Sequence, residues 1–322
     1  MEFKIGFDQK DKKRLFDYWD EIIKNNIWSE GKFTRNFEEK WTNYNELEAV
    51  SFSSWAGAAE AALKFFKMEN EIILCPSNTF QATPMISKLN GNKIKFVDCN
   101  RNDLCLSYED LVLKVEKFKP KAVWAVHIGG HICFEIEKIA KLCKEKNILL
   151  FEDCAHAHGA SFNKKKPGSW GDAGIYSLYA TKTISTGEGG LLVSKNKDLI
   201  EYAKSFKNYG KPNNTIIGRN LRMSEFSAAL GCVQVDRLDN IVEWKNNYVE
   251  KEISKYTNTL KLPNGMISGR YKFIVFEKIN KSTGKVYEVG CHKIFNENVE
   301  LPNTDWVNKN HWCVPLYYKG DI

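Results

Sequence analysis

From residue 47 onward, short and nearly continuous apolar runs alternate with stretches whose apolar residues recur at helical spacing. "LEAVSFSS" precedes the Ala-rich "GAAEAALKFFKM", "EIILCP" precedes "TFQATPMISKLNG", "NKIKFVDC" precedes "SYEDLVLKVEKF", and "KAVWAVHI" precedes "FEIEKIAKLCKEKN"; "ILLFED" closes the series. The runs predict strands and the segments between them predict helices. Repeated βα units with apolar strands predict an α/β fold, a mostly parallel sheet sandwiched by helices. Such a sheet presents ligands at the carboxyl ends of its strands.

After residue 172 the rhythm changes. "DAGIYSLYA" and "GGLLVSK" predict two strands joined by a loop that carries Lys182, followed by a helix over "KDLIEYAKSFKNYG" that Gly210 would stop. One long helical pattern then runs from about Met223 to about Tyr256, with apolar positions at Phe226, Ala229, Leu230, Val233 and Leu238. A helix of that length bridges two lobes. The expected organisation is a large domain over residues 1–245 and a smaller C-terminal α/β domain over 246–322 that holds "GRYKFIVFE" and "KVYEVGCH".

At 322 residues and 43% hydrophobic, the chain can bury a large core. The formal charge of +7 comes from scattered lysines, and the densest runs, "KDKK" at 10–13 and "KKK" at 164–166, are short. Without a zinc-finger, helix-turn-helix or RNA-binding motif beside them, nucleic acid is not an expected partner. The nine cysteines are odd in number and form no CxxC pair, which fits reduced core residues. The N-terminus lacks a signal-peptide pattern and no apolar run reaches bilayer-spanning length. A soluble cytoplasmic protein with no membrane contact is expected.

Several positions could carry chemistry. Asp153 ends an apolar, central-looking strand, so its carboxylate should emerge at the carboxyl edge of the sheet. Cys154, His156 and His158 alternate beside it, and "HIGGHIC" at 127–133 is also rich in ligand types, but neither has zinc spacing; no metal is expected. "SFSSWAGAAEAAL" reads as a strand, a turn of small residues and a helix, the arrangement that offers backbone N–H groups to a phosphate. The chain has neither GxGxxG nor GxxxxGK[ST], which argues against a nicotinamide dehydrogenase and a P-loop NTPase. A phosphate-binding helix start, a strand-end carboxylate, a loop lysine and the aromatic Phe80 after "PSNT" are the parts that a pyridoxal 5'-phosphate site requires. The carboxylate keeps the pyridine nitrogen protonated, the lysine forms a Schiff base and shuttles protons, the aromatic stacks on the ring, and a hydroxyl such as that of Ser177 holds the phosphate.

Over about residues 31–239 the sequence resembles the DegT/DnrJ/EryC1/StrS sugar aminotransferases, a branch of the fold type I pyridoxal phosphate enzymes. The likeness is carried by "GKFTRNFEEKW", "CPSNTFQATPMISKLNGNKIKFVDC", "KAVWAVHIGGH", "FEDCAHAHGASFNKKKPGSWGDAGIYSLYATKTISTGEGG" and "GRNLRMSEFSAALGCVQVDRLD", and more weakly by "CVPLYY". The resemblance implies that Lys182 forms the Schiff base and Asp153 pairs with the pyridine nitrogen. It places His156 near the ring hydroxyl, Phe80 on the ring and Ser177 on the phosphate. Asn220 falls where the family reaches the phosphate of a neighbouring subunit, which implies a homodimer. The family's Ser/Asn-Gly-Thr-Ala is here "SWAG", so Trp55 replaces a glycine and Ala56 lacks a hydroxyl; the backbone N–H groups of Ala56 and Gly57 are left to bind phosphate. The chain also stops soon after "PLYY", so a shortened C-terminal lobe is expected.

The function implied is transfer of an amino group from L-glutamate to a keto group of a nucleotide-linked deoxysugar, for surface polysaccharide or glycoconjugate synthesis. A small phosphorylated ketone or other carbonyl compound is the alternative acceptor. The family's sugar dehydratases carry histidine in place of the Schiff-base lysine, so Lys182 argues against dehydration, and intact Lys182 and Asp153 argue against a non-catalytic binding protein.

Overall fold

A computed structural model of the chain describes residues 6–318. Two helices, α1 (Gln9–Asn25) and α2 (Lys32–Asn45), precede the first strand, β1 (Glu48–Phe52). The expected alternation follows as α3 (Trp55–Phe65), β2 (Ile72–Pro76), α4 (Ala82–Leu89), β3 (Lys93–Val97), α5 (Tyr108–Phe118), β4 (Ala122–Val126), α6 (Ile136–Glu145) and β5 (Leu149–Asp153). A short β6 (Ser161–Phe162) leads to β7 (Ala173–Ser177) and β8 (Gly190–Ser194), the two strands that flank Lys182, and then to α7 (Lys197–Phe206), α8 (Glu225–Asp236) and α9 (Leu238–Glu252). The remainder holds β9 (Met266–Ile267), β10 (Phe273–Val275), α10 (Cys291–Ile294), α11 (Pro302–Lys309) and β11 (Trp312–Val314).

The seven-stranded sheet has the order β1-β8-β7-β5-β4-β2-β3. Its pairings are parallel except that β8 runs antiparallel to both neighbours, β1 and β7. Alternate residues of each strand enter different apolar layers, as period-2 geometry requires. Leu74, Val123 and Leu150 pack with α5 and α6 on one face; Ile73, Trp124 and Phe151 pack with α3, α4 and α7 on the other. Further along the first face, Tyr176, Leu191 and Val193 meet α1, α2 and α8. The expected architecture, a mostly parallel sheet between helical layers, is the one found.

Register brings the carboxyl ends of β1 and β7 beside the start of β8, since Gly190 pairs with both Phe52 and Ser177. A Cβ at Gly190 would lie 2.4 Å from the Ser54 carbonyl oxygen, so only glycine lets β8 begin beneath the turn into α3.

Two predicted elements differ. The single long helix is two, α8 and α9, which meet at Arg237, where φ of −104° and ψ of −1° depart from regular helix values. The Arg237 guanidinium is buried, donates to the Gly6 carbonyl at 2.6 Å and pairs with Asp11 at 3.2 Å, so tertiary anchoring sets the break. The helix after β8 ends at Phe206 rather than Gly210; Gly210 instead turns with φ +90° and donates its N–H to the Ser205 carbonyl at 2.9 Å. In the C-terminal region, "GRYKFIVFE" supplies β10, paired antiparallel with β11, and "KVYEVGCH" is irregular until it runs into α10. Residue 245 lies inside α9, and Leu260, Met266, Ile274, Val307 and Cys313 join the same apolar cluster as Leu74 and Val123.

Candidate active site

A cavity of about 740 Å³ opens at the carboxyl edge of the sheet, and Ala56, Phe80, Asp153, His156, Ser177 and Lys182 all line it. Trp55, Thr83, Tyr271, Lys272 and Tyr287 join them.

Asp153 is the last residue of β5 and is only 5% exposed. Its Oδ1 accepts from Trp55 Nε1 and from the Ala155 N–H, each at 3.1 Å, and its Oδ2 accepts from Thr83 Oγ1 at 2.8 Å. Burial pushes its pKa up, while the Thr83 and Ala155 bonds and the Lys182 charge resist that rise. Lys182 follows β7 in a loop turned by its own N–H to the Tyr179 carbonyl at 2.9 Å. Burial pushes its ammonium down to about 8; Asp153 opposes the shift and the charge of Lys272 adds to it. Its Nζ lies 5.1 Å from the centroid of the Tyr271 ring.

His156 stacks on Tyr271, with ring centroids 4.2 Å apart and planes 29° apart. Its Nδ1 is buried and has no partner among the described residues, and burial followed by the charges of Lys182 and Lys272 holds its pKa well below the usual range. Phe80 is 58% exposed over the cavity, leaving a free aromatic face. The Ser177 hydroxyl, at the end of β7, accepts from the Tyr179 N–H at 3.3 Å. The cavity also meets the first turn of α3 at Trp55 and Ala56, where a helix N-terminus directs N–H groups and positive dipole.

Gly57, expected at the phosphate, and Asn220, expected at the phosphate of a neighbouring subunit, do not line this cavity. Gly57 faces Leu221, outside the cavity lining, and its N–H is taken by the Ser54 hydroxyl at 3.2 Å, the N-cap of α3. Asn220 is exposed outside the lining, and its Oδ1 accepts from Arg222 Nε at 3.0 Å. His158 likewise turns away, packing against Trp41 and Tyr176. Cys154 approaches His127 and Glu152, but that carboxylate already accepts from the N–H groups of Gly168, Trp170 and Gly171 and contacts His127 Nε2 at 3.0 Å.

The sequence reading passed over Trp55 as a donor, together with Thr83, Tyr271, Tyr287 and Lys272. The oddity of "SWAG" is a signal for Trp55, and Thr83 lies one helical turn beyond Phe80. Nothing local in "GRYKFIVFE" marks Tyr271 or Lys272, because they reach the site only through the tertiary fold.

These residues fit pyridoxal 5'-phosphate on three counts. Asp153 has three donors for roughly four lone-pair positions, so one position on Oδ2 is left for a ring N–H. His156 Nδ1 is a buried polar atom awaiting a partner, the kind of vacancy that native structures fill. The first turn of α3 gives a phosphate a site of matching sign.

The family model of the DegT/DnrJ/EryC1/StrS aminotransferase family matches residues 9–268. The chain is 32% identical over 231 residues to GDP-perosamine synthase of Escherichia coli O157:H7, which covers 70% of this chain and 63% of that protein. It is 30% identical over 304 residues to UDP-4-amino-4,6-dideoxy-N-acetyl-beta-L-altrosamine transaminase of Campylobacter jejuni, covering 89% of this chain and 79% of the relative. It therefore spans under two thirds of the length of the first relative and about four fifths of the second. Among solved structures, the aminotransferase TlmJ from Streptoalloteichus hindustanus superposes with a TM-score of 0.88 at 22% identity, over 98% of this chain and 92% of that one. An aminotransferase of the same family from Brucella abortus gives 0.86 at 19% identity, over 96% and 91%. With the strand order, the cavity and these matches in agreement, the chain belongs to the DegT/DnrJ/EryC1/StrS aminotransferase family.

Proposed function

We propose that the protein is a pyridoxal phosphate-dependent aminotransferase that moves an amino group from L-glutamate to a keto group of a nucleotide-linked deoxysugar, for polysaccharide or glycoconjugate synthesis. The observation that carries this reading is the convergence of Lys182 and Asp153 in one cavity, with the lysine amine brought down to about 8. An amine of that pKa is partly neutral near physiological pH, so it can bond a carbonyl carbon and later take and return a proton, a role worth roughly 10²–10⁴-fold in rate. The cofactor, when bound, supplies an electron sink for negative charge on the substrate carbon. Asp153 would hold the proton at its ring nitrogen, while Trp55, Thr83 and the Ala155 N–H fix the carboxylate's orientation. His156 Nδ1 would bond the ring hydroxyl, Phe80 would cover the ring, and Ser177 with the N–H groups of Trp55 and Ala56 would bind the phosphate.

The relatives from Escherichia coli and Campylobacter jejuni are named for nucleotide-linked amino sugars, which supports such an acceptor here. We further propose a homodimer in which Asn220 completes the partner's phosphate site. In support, Asn220 is exposed and lies in a stretch with two exposed apolar side chains, Ile217 at 96% and Tyr209 at 53%. The nine free, buried cysteines suit a reducing compartment such as the cytoplasm. No helix among the described residues is long and apolar enough to cross a membrane.

A spectral titration tests the reading. Glutamate should convert the loaded protein from its visible-absorbing form to the aminated form, and a nucleotide-linked keto-sugar should restore it. Restoration only by a small ketone phosphate would replace the sugar acceptor with the alternative, and no conversion by any amino acid would end the aminotransferase reading.

A further inference from the structure

The "HIGGH" segment takes no part in the chemistry proposed so far, yet it shapes one wall of the cavity. Gly129 and Gly130, with φ of +66° and +107°, turn the chain after β4. Their carbonyls accept from the N–H groups of Lys272 at 2.8 Å and Gly269 at 2.7 Å. A Cβ at Gly130 would lie 2.3 Å from the Tyr271 nitrogen, so the glycine permits this backbone contact. The turn thus fixes the segment that delivers Tyr271 and Lys272 to the site.

Among the described residues, Lys272 enters the cavity without an anionic partner. Asp153 is engaged by Trp55, Thr83 and the Ala155 N–H, and Glu288, the other carboxylate of the lining, forms no bond to Lys272. No arginine lines the cavity. Lys272 Nζ and Lys182 Nζ each lie 5.1 Å from the centroid of the Tyr271 ring, so both ammonium groups neighbour the same ring. Lys245, on α9 outside the lining, is 7% exposed and is brought down to about 8 by burial and then by the charge of Lys272. His156, also near Lys272, is buried, which disfavours its charged form. This part of the wall therefore has an excess of cations that a bound anion would relieve.

We infer that Lys272 is the anion-recognition residue of this site and that it binds the α-carboxylate of the amino donor. The assignment rests on the aminotransferase reading. An amino acid whose nitrogen is delivered to the Lys182 position carries its carboxylate on the adjoining carbon, within reach of a cation on the same aromatic ring. In a nucleotide-linked sugar the nearest phosphate is on the anomeric carbon, several bonds from the reacting carbon, whereas the donor's carboxylate is one bond from its own.

The test is calorimetric titration of cofactor-free protein with glutarate, a dicarboxylate that cannot react, alongside glutaramide and UDP. Wild type should bind glutarate and not glutaramide. Lys272→Met should weaken glutarate at least tenfold, Lys272→Arg should restore most of it, and Lys245→Met should leave it within twofold. In the loaded enzyme, Lys272→Met should raise the donor KM with a smaller change in kcat and leave the acceptor KM unchanged. The inference is overturned if wild type does not bind glutarate, if Lys272→Met binds it unchanged, or if Lys272→Met weakens UDP instead. Failure of the aminotransferase reading would look different: glutarate would bind through Lys272 while the loaded wild type transferred no amino group.

Discussion

Asp153 illustrates how much a single buried carboxylate demands of its neighbours. Held by Trp55, Thr83 and the Ala155 N–H, it has its orientation fixed before any ligand arrives. Removing a donor to a charged acceptor costs about 1.5–3 kcal/mol. Trp55→Phe, which keeps an aromatic ring but loses the N–H, is expected to weaken cofactor binding about tenfold and to move the absorbance maximum of the loaded protein. Fluorescence titration with pyridoxal phosphate measures this, and an unchanged dissociation constant would show that Trp55 only fills space. At this scale Lys182 and Asp153 were legible because strand ends and loops can be placed from periodicity, and chemistry then selects among the residues there. The "SWAG" departure marks position 55, but the donor role of Trp55 was not legible, because sequence does not tell where an indole points.

Among the elements, the meeting of α2 with α8 has the clearest electrostatic logic. The N-cap of α2 is Gly31, which offers no side chain, and Glu225 at the first residue of α8 takes over. Its buried carboxylate accepts from the N–H groups of Gly31 at 2.9 Å, Phe33 at 2.8 Å and Thr34 at 2.8 Å, and from the Thr34 hydroxyl. A buried anion at a helix N-terminus satisfies otherwise orphaned donors and the positive end of the dipole. Glu225→Gln should lower stability by roughly 1–3 kcal/mol in chemical denaturation, with far-UV dichroism checking that the fold is retained; no loss would contradict the capping role. The βα series from β1 to β5 was readable because each strand is a continuous apolar run and each helix an amphipathic one. The break at Arg237 was not, since it depends on contacts with Gly6 and Asp11 more than two hundred positions away. Helices α1 and α2 were not legible, because both are largely polar and α1 buries only Leu15 and Ile22.

The molecule gathers three lysines, Lys182, Lys245 and Lys272, at and beside one cavity with no ion pair to any of them among the described residues, and its pH dependence should reflect this. Lys182 and Lys245 fall to about 8 from 10.5, so between those values the unfolded chain holds more protons than the folded one. Stability of the cofactor-free protein should therefore rise as pH climbs from about 8 to 10.5. Lys245→Met should raise stability at pH 7, by a gain on the order of 3 kcal/mol or less, and flatten part of the rise; a lower Tm would contradict it. On the acid side, His131 is brought to about 4 and His158 to about 3 by burial, so stability should fall as pH drops from about 6.5 toward 4.

The central claim is that one lysine among the many in this chain carries the cofactor. Reduction of the loaded protein with borohydride fixes the cofactor to the amine it has bonded, and peptide mass spectrometry then locates it. The label is expected on the peptide containing Lys182, with Lys182→Ala giving no labelled peptide. A label on Lys272, Lys245 or another amine, or no label at all on the wild type, would contradict the account.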